Sequence, residues 1–80
     1  MKTFTLTSSY KLTRDGQAEV CLRPSDPQIE NYLDTYKVYD TEQDALDDIA
    51  NFINEQRPLM FAVFQGMNNV PQSIKDQYIL

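Results

Sequence analysis

From Lys2 to Thr13 the chain alternates residue by residue. Phe4, Leu6, Ser8, Tyr10 and Leu12 fall on one face, and Thr3, Thr5, Thr7, Ser9 and Lys11 on the other. A period of two with β-branched threonines predicts a strand with one face on a core and the other in water. Arg14-Asp15-Gly16-Gln17 then marks a turn, and the pattern on either side sets its length. A two-residue Asp-Gly loop would place Leu12 against Glu19 and Tyr10 against Cys21, apolar beside polar. A three-residue loop, Arg14-Asp15-Gly16, places Leu12 against Ala18 and Tyr10 against Val20, and keeps Ala18, Val20 and Leu22 on the apolar face. The expected turn is type I with Gly16 left-handed, closing a bulged hairpin. Cys21 then lies on the polar face beside Glu19 and Arg23.

Arg23-Pro24-Ser25-Asp26-Pro27 ends the second strand, because proline has no N–H to give to a ladder. Asp26-Pro27 also reads as a cap and first position for a single helical turn over Gln28 to Leu33. Asp34 to Asp40 alternates again as a third strand, with Tyr36 and Val38 on one face and Lys37 and Tyr39 on the other. Thr41-Glu42-Gln43-Asp44 is close to a capping box, with Asp in place of the usual Glu. Behind it, Ala45, Leu46, Ile49, Ala50, Phe52 and Ile53 form an apolar stripe at helical spacing. This helix is expected to stop near Gln56, since the residue before Pro58 avoids helical angles.

Leu59 to Gln65 reads as a last strand, apolar on both faces: Leu59, Phe61 and Val63 on one, Met60, Ala62 and Phe64 on the other. Such a strand belongs inside a sheet or under cover on both sides. With the helix on one side, the other side is expected to meet the C-terminal tail or another subunit. Pro71 can start a short helix, and the apolar ending Tyr78-Ile79-Leu80 is expected to be docked. The order β-β-β-α-β predicts one α+β domain over residues 1–80. It would have a single, mainly antiparallel four-stranded sheet, one amphipathic helix packed on one face and a short C-terminal element. The last strand is placed beside the first and parallel to it.

Composition narrows the class. With 41% hydrophobic residues, five tyrosines and four phenylalanines, the chain is suited to a folded core rather than to disorder. A domain this short buries only about 60–65% of its unfolded surface, so dimerisation or a partner is a natural supplement. The net charge of −5 disfavours direct nucleic-acid binding and favours basic partners. The lone Cys21 allows no intrachain disulfide and fits a reducing, cytoplasmic setting. The N-terminal residues lack the apolar core of a signal peptide. No apolar run approaches the roughly 20 residues of a membrane span.

Chemistry is limited by what the chain lacks. There is no histidine, which removes histidine-dependent triads and histidine-ligated metal sites. One cysteine cannot build a thiolate zinc site, and Cys21 has no histidine to act as its base. Gly16 and Gly66 are isolated, so no glycine-rich phosphate loop exists. The acidic run Asp40, Glu42, Asp44, Asp47, Asp48 has no glycine among its residues and sits on a helix rather than in a calcium loop. No enzyme activity, cofactor or metal is therefore expected.

The acids remain to be explained. From Tyr39 to Gln56 there are six acids and no base. Glu42 and Asp44 suit the positive end of the helix dipole. Asp47, Asp48 and Glu55 do not, and Asp44, Asp48, Asn51 and Glu55 line one outward face where like charges repel. Such a face is either simply solvated or a binding surface for a positively charged partner. Tyr32, Tyr36 and Tyr39 cluster just before it. They either join that surface, as tyrosines do opposite arginine-rich partners, or serve the sheet, with Tyr36 in the core and Tyr32 and Tyr39 at its edge. The candidate partner-binding residues are Asp44, Asp47, Asp48, Asn51, Glu55, Tyr39 and Tyr32.

In size, charge, lack of catalytic groups and a strand leading into an acidic helix (Tyr36-Lys-Val-Tyr-Asp-Thr-Glu-Gln-Asp-Ala-Leu-Asp-Asp), the chain resembles the small acidic phage-encoded inhibitors of host defence, such as anti-CRISPR proteins. The resemblance is one of architecture and carries over no individual residue. It implies a stoichiometric inhibitor that occupies the basic, nucleic-acid-binding surface of a larger protein or ribonucleoprotein, sometimes by imitating DNA charge. The other function class is a small accessory or regulatory subunit, monomeric or homodimeric through the apolar last strand and tail. Neither class involves a membrane.

Overall fold

The computed structural model describes all 80 residues. The elements in chain order are β1 (Lys2–Thr3), β2 (Leu6–Leu12), β3 (Ala18–Pro24), β4 (Thr35–Tyr39), α1 (Glu42–Gly66), α2 (Gln72–Lys75) and β5 (Tyr78–Ile79). The class is α+β, as expected, but the sheet differs. In place of a single four-stranded sheet there is a three-stranded antiparallel sheet in the order β2-β3-β4 and a separate parallel pair, β1-β5.

The hairpin follows the sequence pattern closely. Leu12 pairs with Ala18, Tyr10 with Val20 and Ser8 with Leu22. Gly16 takes φ 79°, the left-handed conformation that the three-residue loop requires. Ala18, Val20 and Leu22 are fully buried beneath α1. Tyr10 and Leu12 share that face but remain 41% and 56% exposed, because β2 is an outer strand with no further strand beyond it. The β3 strand continues through Pro24, which pairs with Leu6 at a position where no ladder bond is needed.

Residues 57–66 are helical where the sequence pattern predicts a helix end and a strand. α1 does not stop before Pro58: it runs unbroken for 25 residues, and the expected strand Leu59–Gln65 is its second half. Proline removes the N–H that would bond Asn54 and crowds the preceding turn, at a cost of about 3 kcal/mol in a helix interior. Pro58 and Asn54 are both on the solvent side, so the freed carbonyl can be hydrated. Against that cost stands the burial of Met60 and Phe64, with Phe61 packed beside them. Each large side chain fully buried contributes about 1.5–3 kcal/mol. A run that is apolar at almost every position fits a strand and a helix equally well by period. Here Phe52, Met60 and Phe64, spaced in multiples of four, are the large side chains that α1 buries in the core. The apolar residues left over, Leu59 and Val63, face solvent at 60% and 58% exposure. No strand is available there for self-association.

The rest of the chain covers the second half of α1. Phe4 is fully buried, its ring 5.3 Å from Phe61 and 5.7 Å from Phe64, and Tyr78 stands edge-on to Phe64. The Arg57 guanidinium donates to the Phe4 carbonyl at 3.2 Å. The tail is docked as expected, through β5 on β1 rather than on a core strand, with Lys2 opposite Tyr78 and Thr3 opposite Ile79. α2 follows Pro71 as expected. Residues 27–32 form consecutive turns instead of a helical turn, held by Ile29 N–H to Asp26 O and Tyr32 N–H to Ile29 O. Ile29 drops into the core there.

One polar cluster ties these pieces together. The Tyr78 hydroxyl donates to Asp26 at 2.6 Å, the Gln28 N–H donates to it at 2.9 Å, and the Lys2 ammonium lies 3.1 Å away. Led by the Tyr78 bond, these donors lower the Asp26 carboxyl to about 2. Burial and the neighbouring carboxylate push the Tyr78 phenol up to about 12. A carboxyl lowered in the folded state adds stability above its ordinary value, and loses it as pH falls through the folded one. The expected window for Asp26 is therefore from 3.8 down to about 2. Replacing Tyr78 with Phe should raise the Asp26 carboxyl toward its ordinary value and flatten stability across that window. Carboxyl NMR titration and melting curves against pH measure both. An unmoved Asp26 would contradict the assignment.

Candidate functional site

The acidic surface begins at the start of α1. The Thr41 hydroxyl accepts the Asp44 N–H at 3.1 Å, capping the helix as the sequence predicts. From that cap the helix carries Asp44, Asp47, Asn51 and Glu55 into solvent. Asp47 accepts from Gln43 Nε2 at 2.8 Å, one turn back. None of these three acids has a basic partner. The four ion pairs in the protein join Lys2 to Asp26, Lys11 to Glu19, Arg23 to Asp34 and Lys37 to Asp48.

Asp48 differs from its neighbours. It accepts from the Tyr39 hydroxyl at 2.6 Å, from the Lys37 ammonium at 3.3 Å and from Asn51 Nδ2 at 3.4 Å. Lys37 also sits over the rings of Tyr39 and Phe52, at 4.9 Å and 5.6 Å from their centroids. Led by the Tyr39 bond, these contacts hold the Asp48 carboxyl below its ordinary value. Burial and the same carboxylate raise the Tyr39 phenol. Asp48 thus joins α1 to β4 and is only partly available to a partner. Part of the outward repulsion seen in the sequence is compensated by Lys37, which lies before the base-free stretch in the chain but beside it in space.

The tyrosines sort differently from either expectation. Tyr39 is buried against α1, while Tyr36 is 53% exposed on the opposite face of the sheet with Val38. The reason is parity: Lys37 and Tyr39 share the helix side of β4, so Tyr36 cannot enter the core. Tyr32 is half-buried against the core cluster. Of the seven candidate residues, Asp44, Asp47, Asn51 and Glu55 form one exposed row. Asp48 and Tyr39 form the bond beneath it, and Tyr32 lies on the turn before β4.

The outer face of the sheet carries a second, shallow feature. A hollow of roughly 230 Å³ lies between Lys11, Glu19, Cys21, Arg23 and Tyr36. Cys21 is buried at its floor, as the hairpin register places it, and its thiol lies 3.9 Å from the Leu22 carbonyl. Lys11 and Arg23 are occupied by Glu19 and Asp34 at 3.8 Å. No group of three acids or thiols is close enough to hold a metal ion. The Asp26–Tyr78–Lys2 cluster was not foreseeable: its members are 24 and 52 residues apart and no local pattern links them. No helix is long and apolar enough to cross a membrane. Comparison with protein-family models, curated proteins and solved structures finds no match to this chain.

Because the Tyr39 hydroxyl is the main cause of the Asp48 shift, Tyr39→Phe should raise the Asp48 carboxyl toward its ordinary value. The lowered group adds stability above pH 3.8 that is lost as pH falls through the folded-state value. The variant should therefore show a smaller stability loss on acidification below that point. Side-chain carboxyl NMR and chemical denaturation at several pH values read the two effects. An Asp48 titration identical in variant and wild type would contradict the proposed link.

Proposed function

We propose that this protein is a non-enzymatic binding module. Its α1 face occupies a basic surface of a larger protein or ribonucleoprotein, and so blocks nucleic-acid access there. The observation that carries the reading is that Asp44, Asp47 and Glu55, none with a basic partner, stand exposed in one row along α1. Unpaired carboxylates in a row speed association with a basic surface and set its orientation.

The same line of the helix continues into apolar residues. Asn51, Glu55, Leu59 and Val63 succeed one another at four-residue spacing, so the exposed side of α1 is acidic in its first half and apolar in its second. An acidic stretch next to exposed apolar side chains suits a protein surface, where apolar groups anchor and charges orient. A blocking role of this kind agrees with the resemblance to phage-encoded inhibitors of host defence.

The test reverses the acids of this row that have no basic partner. Asp44→Lys, Asp47→Lys and Glu55→Lys together should abolish capture of the partner from a lysate of the native host, as read by mass spectrometry, with the wild-type circular-dichroism spectrum retained. Asp48 is left intact because it holds α1 to β4. Partner capture that survives the triple reversal would overturn the acidic-face reading.

A further inference from the structure

The two outer strands of the main sheet are not protected alike. β4 is short, has Asp34 and Asp40 at its ends, and turns the charged Lys37 inward. These are devices that keep a sheet edge from pairing. β2 is seven residues long, contains no proline and no acid, and has Lys11 as its single charge. The ladder ends Thr5–Ser25 and Thr13–Gln17 are hydrogen-bonded, so by alternation the odd residues of β2 bond β3. Leu6, Ser8, Tyr10 and Leu12 thus point their N–H and C=O groups outward, and no other segment bonds them.

We propose that this edge pairs with β2 of a second copy, joining two three-stranded sheets into one across a twofold axis at Ser9. The strand is self-complementary in that antiparallel register. Leu6 meets the partner's Leu12, Thr7 meets the partner's Lys11, and Ser8 meets the partner's Tyr10. Within the paired strands no charge faces a like charge, although each chain carries −5. Exposed apolar groups gather on the same edge. Tyr10 bonds Glu42 at 3.1 Å, and Leu46 stands one turn further along that stripe of α1. Tyr10, Leu12 and Leu46 are all more than 40% exposed, and pairing would draw them toward the axis between the two helices. The protected β4 edge stops growth at two copies.

The test begins with sedimentation equilibrium of the wild-type chain in a dilution series. The expected species is twice the 9.3 kDa monomer, dissociating on dilution. Ser8→Pro removes an outward N–H without breaking a bond to β3, and should give a monomer. Leu12→Lys with Leu46→Lys should do the same, and decides the matter if the proline variant does not fold by circular dichroism. In a Cys21→Ser background, Ser9→Cys should oxidise to a covalent dimer, since directly opposed residues of this type lie about 4.5 Å apart, within disulfide range. A wild-type chain that stays monomeric, a dimer that survives these variants, or species larger than a dimer would overturn the proposal.

Discussion

The structure depends on one helix continuing past a proline. At about 1.5 Å per residue, the 25 residues of α1 reach some 37 Å, whereas a seven-residue strand spans about 23 Å. The helix therefore outruns the sheet it packs on, and its second half needs other cover. Phe4, the β1-β5 pair and Tyr78 supply it, and Asp26 links Tyr78 and Lys2 to the turn after β3. The small parallel pair follows from the length of the helix: the two chain ends meet where Met60, Phe61 and Phe64 would otherwise be bare.

The same helix divides its polar residues between structure and surface. Asp48 is used internally, bonded to Tyr39 and Lys37. Asp44, Asp47 and Glu55 have no basic partner, and the helix dipole favours only Asp44 among them. Like charges on one exposed face oppose folding slightly. In the proposed reading these acids, with exposed Leu59 and Val63 further along the same side of α1, are the surface offered to a partner.

Much of the fold was legible in the sequence where two signals agreed. The hairpin register came from alternation together with Gly16, and the start of α1 from Thr41 together with the apolar stripe. The second half of α1 was not legible, because Pro58 and a run apolar at nearly every position both favoured a strand, and only burial against Phe4 and Tyr78 decides otherwise. The role of Asp48 was hidden for a related reason. Its cation, Lys37, comes from β4 and meets it only after α1 folds over the sheet.

The most direct measurement is backbone NMR across Pro58. A continuous helix predicts helical Cα chemical shifts from Glu42 to Gly66, with contacts between residues three apart on both sides of the proline. Strand-like shifts over Leu59 to Gln65, or contacts from these residues to β2, would contradict the account.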